Sequence, residues 1–217
     1  MRLIHLIVVL FGFVTLGEAI AQTAPLPSSQ SAHCDPSALA ELRARIKAGD
    51  SHAEFFLGEL TRIGHCERQD YQKAARLLTA SHEKGNINAT YALSQLFADS
   101  RFEGASAEQS IKYLRDAAER GLVEAQHQLG IMLAAASVTD EDRNAAIEWL
   151  ERAYHAGHGL SAASIGMYYQ RGMHGFSVRP CLAYSWYSKA LSVGFEPAET
   201  FIDKIDAENG GLCALTH

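Results

Sequence analysis

Gly85-Asn86-Ile87-Asn88-Ala89 is one of five versions of the same short passage, and its recurrence decides the fold. The others are Gly49-Asp50-Ser51-His52-Ala53, Gly121-Leu122-Val123-Glu124-Ala125, Gly157-His158-Gly159-Leu160-Ser161 and Gly194-Phe195-Glu196-Pro197-Ala198. The glycines are 36, 36, 36 and 37 residues apart, and a small residue follows each of them at an offset of four. A period of this size marks a stacked repeat rather than a single core.

Outward from each glycine, two runs of apolar residues recur at helical spacing with a polar or glycine-containing loop between them, so each unit is a helical hairpin. The first helix carries Leu57, Leu93, Leu129, Ile165 and Ile202, and three residues on, Leu60, Leu96, Met132, Tyr168 and Ile205. Between these columns stand Gly58, Ser94, Gly130 and Gly166, where a large side chain would hold the neighbouring helix away. The second helix carries Leu42, Leu78, Leu114, Leu150 and Tyr187, with Ala38, Ala74, Ser110, Ala146 and Ala183 as its close-contact column. It ends at the recurring glycine, which takes a left-handed C-cap without a Cβ clash. The count predicts a lone second helix (36–48), four hairpins (51–84, 87–120, 123–156, 159–193) and a lone first helix (196–208). The expected fold is all-α, a right-handed α/α superhelical solenoid with half-repeats capping both ends.

Ala53-x-x-x-Leu57-Gly58, then Asp70-Tyr71-x-Lys73-Ala74-Ala75 and Gly85, resembles the Sel1-like repeat, a TPR-like helical hairpin. The pattern departs at Ser94 and at Asp140-Glu141-Asp142-Arg143, where a glycine-rich turn would be usual. The resemblance covers nearly all of the chain from Cys34 onward. It implies a repeat domain over 34–217 with full repeats at about 51–86, 87–122, 123–158 and 159–195, acting in protein–protein interaction without catalysis.

Met1 to Ala21 carries Arg2, an apolar run from Leu3 to Val14 broken only by His5 and Gly12, and Ala19-Ile20-Ala21. This reads as a secretory signal peptide cleaved after Ala21; the run is shorter than the roughly 20 residues that span a bilayer. Residues 22–33, rich in Pro, Ser and Gln, read as a flexible leader. Asp35 and Pro36 suit the cap and first turn of the opening helix. The expected location is periplasmic or secreted, with no membrane insertion after cleavage. The formal charge of −6 offers no basic stripe to displace counterions from nucleic acid or to attract a lipid surface.

Cys34, Cys66, Cys181 and Cys213 permit three pairings. Repeat register selects Cys34–Cys66 and Cys181–Cys213: each pair is 32 residues apart, and each joins the start of a second helix to the region just past a first helix. Each bond would staple a terminal half-repeat to its neighbour, worth ~3–4 kcal/mol for a loop of this size.

Candidate chemistry is sparse. Ser81-His82-Glu83-Lys84 matches the Ser-x-x-Lys of penicillin-binding enzymes, and by resemblance to cysteine-rich secreted relatives it raises a β-lactam-binding or β-lactamase-like alternative. Its companion Ser-Asp-Asn and Lys-Thr-Gly elements are missing, and it falls in the last turn of a second helix. His155-Ala156-Gly157-His158 has two imidazoles without a nearby third metal ligand. Asn88-Ala89-Thr90 is a glycosylation sequon only in a eukaryotic setting, and the spacing of Trp149, Trp186, Tyr113 and Tyr184 reads as core packing. No phosphate loop, dinucleotide fingerprint or Gly-x-Ser-x-Gly occurs. No catalytic residue, metal site or cofactor is expected.

In a curved stack the first helices line the inner surface, and register places three stripes there. They are Phe55, Tyr91, His127, Ala163 and Thr200; Glu59, Gln95, Ile131, Met167 and Lys204; and Arg62, Ala98, Ala134, Gln170 and Ala207. Phe55, Glu59, Arg62, Tyr91, Gln95, His127, Ile131, Met167, Gln170 and Lys204 are the expected contacts for a protein partner, with the aromatics as anchors. Neighbouring helices compete to bury the same side chains. The loop Arg171 to Ser177, which holds the one-residue insertion, offers Met173 and Phe176 either as a second contact or as a cover for the terminal cap. By resemblance, the first reading is a periplasmic immunity protein that neutralises a secreted lipase or phospholipase toxin. A structural subunit of a periplasmic machine or a host-directed secreted factor are the alternatives.

Overall fold

The computed structural model describes residues 35–66 and 68–213. The expected signal peptide, the leader and Cys34 lie outside the described residues. The described residues form α1 (Pro36–Lys47), α2 (Ser51–Ile63), α3 (Tyr71–Glu83), α4 (Ile87–Ala98), α5 (Ala107–Glu119), α6 (Val123–Ala136), α7 (Asp140–His155), α8 (Gly159–Arg171), a 3-10 turn (Met173–Gly175), α9 (Pro180–Ser192) and α10 (Ala198–Asn209), with no strand among them.

Side-chain caps start most of these helices. Asp35 accepts from Ser37 N–H at 2.8 Å, Asp50 from His52 N–H at 2.8 Å, Asp70 from Lys73 N–H at 2.8 Å and Asn86 from Asn88 N–H at 3.0 Å. In the third repeat, Asp140-Glu141-Asp142 is the first turn of α7. Thr139 and Asp142 close a capping box there, and the three carboxylates suit the positive end of the helix dipole.

The recurring glycine ends each second helix in the same way. At Gly85 the N–H donates to His82 C=O at 2.8 Å and the next N–H, of Asn86, donates to Ser81 C=O at 3.1 Å, the paired bonds of a Schellman turn. Gly85 has φ +87°, and a Cβ there would meet no atom within 4 Å, so the position demands a backbone conformation rather than space. Gly49, Gly121, Gly157 and Gly194 repeat the positive φ and both bonds. Asn86 then caps α4, so one residue closes one helix and opens the next.

Packing is sequential: α2 lies on α3, α4 on α5, α6 on α7, α8 on α9 and α10 on α9, with successive hairpins in contact through α3–α4, α5–α6 and α7–α8. This is an α/α solenoid. The small residues set the hairpin spacing, because a Cβ on Gly58 would approach Leu78 to 2.9 Å, on Gly130 Leu150 to 2.7 Å and on Gly166 Tyr187 to 2.9 Å. Leu57, Leu93, Leu129 and Ile165 are all buried beneath these contacts. At the C-terminal end Cys181 and Cys213 are bonded, with Cα atoms 4.8 Å apart, and tie α9 to the segment after α10. Cys66 is also disulfide-bonded.

Candidate interaction surface

The first-helix stripes fall on α2, α4, α6, α8 and α10, and the structure treats their members unequally. Toward the N-terminal end, Phe55 is half-buried, packed on Phe56 at 5.1 Å between ring centroids and against the buried group that includes Leu78 and Leu93. Arg62 clasps Glu59 through two bonds of 2.7 and 2.8 Å and reaches from α2 to Gln95 on α4 at 3.4 Å. The Glu59 hydrogen bonds raise the Arg62 pKa further, against the effect of burial. Beside them, Asp99 takes bonds of 2.9 and 2.7 Å from Arg101 and one of 3.1 Å from the Tyr71 hydroxyl. The Arg101 bonds hold the Asp99 carboxyl well below the usual carboxylate range.

Tyr91 is half-buried against the group containing Leu114 and Leu129. Ile131 packs against the large C-terminal core, while Met167 is half-buried. Gln170 is committed inward, accepting from the Tyr187 hydroxyl at 2.9 Å; burial pushes that phenol up to about 12. Lys204 stays open, with its side chain 62% exposed and Glu208 at 3.9 Å.

His127 is not an open stripe residue. Its Nδ1 lies 2.9 Å from the Ser161 hydroxyl, whose oxygen is also 2.8 Å from His158 Nδ1, and the two rings are 4.7 Å apart. His155 is exposed and lies against Tyr154 at 5.1 Å. The histidine pair that forms is therefore His127 with His158, from the two ends of the third repeat, not His155 with His158. Among the described residues, no group of three or more His, Cys, Asp or Glu is placed to hold a metal ion.

The Ser-x-x-Lys match is absorbed into packing. Ser81 is wholly buried and donates to Ser51 C=O at 2.6 Å. Lys84 pairs with Glu54 at 2.7 Å and reaches Gly49 C=O at 3.3 Å. Both groups are thus engaged by bonds to α2 and the turn before it. In the 171–177 loop, Phe176 is buried, stacked on Tyr168 at 5.2 Å and edge-on to Tyr169 at 5.5 Å. It covers the core, and the exposed apolar residue there is Val178.

One feature escaped the stripes. Five residues after the first three glycines come Glu54, Thr90 and Gln126, all buried polar groups. Lys84 and Arg120, one residue before a glycine, answer the first two: Arg120 bonds Thr90 Oγ1 at 3.1 Å and Gly85 C=O at 2.6 Å. A polar residue at a fixed offset facing a cation at another fixed offset was the available signal. Thr90, the last residue of the sequon, is wholly buried in this network.

A stack of helical hairpins whose first helices carry half-buried side chains, with its Ser-x-x-Lys residues spent on internal bonds, belongs to the class of α-helical repeat scaffolds. The chain belongs to the Sel1 repeat family, whose repeats match residues 51–86, 87–122, 123–158 and 160–195; such proteins are scaffolds for protein–protein interaction. The crystal structure of a Sel1 repeat protein from Oxalobacter formigenes superposes with TM-score 0.69 at 22% identity, over 80% of this chain and 71% of that one. That of c5321, a protective antigen present in uropathogenic Escherichia coli strains and displaying an SLR fold, superposes with TM-score 0.62 at 26% identity, over 72% of this chain. This chain spans only 33% of the antigen's length. No curated protein matches the chain significantly. Among the described residues no helix is long and apolar enough to cross a membrane.

Proposed function

We propose that the chain is exported by its first 21 residues and binds another protein along the first-helix stripes, as a periplasmic immunity protein that neutralises a secreted lipase or phospholipase toxin. The observation that carries the binding mode is the set Phe55 and Tyr91 from one stripe and Ile131 and Met167 from the next. In four successive repeats a large apolar or aromatic side chain is half-buried, and Phe55, Tyr91 and Ile131 are packed against the core on one side. Such half-buried anchors lose little conformational freedom on binding. The Cys181–Cys213 bond supports an oxidising compartment.

The test is protection. Cells lacking this gene should become sensitive to a lipase-type toxin encoded beside it. Tyr91→Ala and Ile131→Ala proteins that keep the helical circular-dichroism spectrum should bind and protect at least tenfold less well. Full protection by both variants would remove the stripe proposal, and insensitivity of the deletion strain would remove the immunity reading. Turnover of a chromogenic β-lactam that is lost in Ser81→Ala would overturn both. The likeness to the uropathogenic antigen favours one second reading, a host-facing secreted factor, which predicts the mature protein in the medium rather than the periplasm.

A further inference from the structure

We propose that His127, Ser161 and His158 form an acid-sensitive latch between α6 and α8, closed while both imidazoles are neutral and opened when both carry a proton. This goes beyond partner binding and does not depend on which partner binds. The latch rests on hydrogen-bond counting. The Ser161 hydroxyl has one proton, and its oxygen stands 2.9 Å from His127 Nδ1 and 2.8 Å from His158 Nδ1. With neutral rings, one Nδ1–H donates to the hydroxyl and the hydroxyl donates to the other Nδ1, so every group is satisfied. A single proton on the pair is also accommodated. With two, both nitrogens are donors and the hydroxyl proton loses its acceptor at a residue with no exposed surface. Two positive charges also then face each other with ring centroids 4.7 Å apart.

The surroundings do little to offset this. On α6, Glu124 is the carboxylate that acts on His158. At the end of α7, His155 is exposed and turned to Tyr154, and Arg152 lies over Trp149 at 4.4 Å. Helix α8 has no charged residue before Arg171 at its far end, and on α9 the Lys189 ammonium sits over Trp186 at 3.8 Å. Burial first, and then the His158 charge, lowers His127 from its ordinary value to about 4; burial also lowers His158. Both rings therefore resist protonation in the folded chain and accept it in the unfolded one. Full stability is present above about pH 6.5 and declines as the pH falls toward about 4. Ile131 lies one turn beyond His127 on α6 and Met167 lies on α8, so opening the latch disturbs the inner stripe where the third repeat meets the fourth.

The mature protein is titrated by NMR, following the imidazole Cε1 protons. His127 should titrate toward about 4 and His158 below its ordinary value, and in His158→Gln the His127 resonance should move back up. In parallel, urea unfolding at pH 7.5 and 4.5 compares wild type with His127→Gln/His158→Gln. The ratio of their folding constants should change by about tenfold or more between the two pH values, in favour of the variant at low pH. Ordinary titration of all the histidines, or a ratio that does not move with pH, overturns the latch. Because the wild-type titration needs no variant to fold, failure of the variants to fold leaves the first reading decisive.

Discussion

The first two repeats and the last two solve one packing problem with opposite chemistry. At the position five residues after the glycine, and at the C-cap residue of the hairpin's second helix, the pairs run Glu54 and Lys84, Thr90 and Arg120, Gln126 and Ala156, Ala162 and Val193. The first pair is an ion pair of 2.7 Å and the second joins a guanidinium to a hydroxyl. In the third, Gln126 turns back to Ala118 C=O at 3.2 Å. In the fourth nothing polar is left, and α8 and α9 share a large buried core with Tyr168, Trp186 and Tyr187. The N-terminal buried groups are smaller and lean on leucine and alanine. Where burial is modest, specific polar bonds set the register; where it is large, shape complementarity does.

The largest expected effect breaks the C-terminal half. Replacing Cys181 and Cys213 by serine should cost ~3–4 kcal/mol in chemical unfolding, the worth of closing a loop of this size. Hydrogen exchange should rise in α9 and α10, while α2 to α5 keep their protection, because the bond joins only the last two helical segments. Equal loss of protection along the whole chain would show that the two halves unfold as one unit.

A smaller effect breaks the N-terminal half. Glu54 has 8% of its side chain exposed, and its Oε2 has no hydrogen-bond partner. Lys84→Ala leaves that carboxylate buried without its cation and should cost about 2–3 kcal/mol, while Glu54→Leu with Lys84→Met should recover most of it. Arg120→Ala deprives two neutral acceptors, Thr90 and Gly85, and a long, partly exposed ion pair with Asp116 at 3.5 Å, and should cost ~1–2 kcal/mol. A cost for Arg120→Ala as large as that for Lys84→Ala would erase the gradient described above.

Gly85→Ala sharpens the comparison, since the same glycine stands in both halves. Its φ of +87° is costly for alanine, yet a Cβ has nothing to collide with. The expected loss is ~1–2 kcal/mol, and Gly157→Ala, at φ +91°, should lose the same amount despite its different neighbours.

What was legible in the sequence follows from locality. A Schellman turn constrains one φ, so the glycine column revealed helix ends directly, and the cysteine at 181 could be matched to that at 213 by register alone. Side-chain direction is not local. His127 and Ser161 are 34 residues apart, and only the χ angles bring His158 to the same oxygen, so the sequence separates the trio into a stripe residue, a small residue of the glycine passage and half of a histidine motif. Phe176 falls in a loop whose role the sequence leaves open, because an insertion interrupts the period. The structure folds it back onto Tyr168, which no periodicity predicts.

The smallest effect separates stability from binding. Lys204 on α10 is widely exposed and its ion pair with Glu208 is long, so Lys204→Ala should change stability by less than ~0.5 kcal/mol. At the edge of an interface such a charge alters association rate and salt dependence more than folding. If the last half-repeat contributes to the inner stripe, Lys204→Glu should slow capture of the partner, most visibly at low salt, with unfolding unchanged. If capture is unaffected while Tyr91→Ala abolishes it, the working surface lies in the polar-stapled N-terminal half, and α10 is a cap alone.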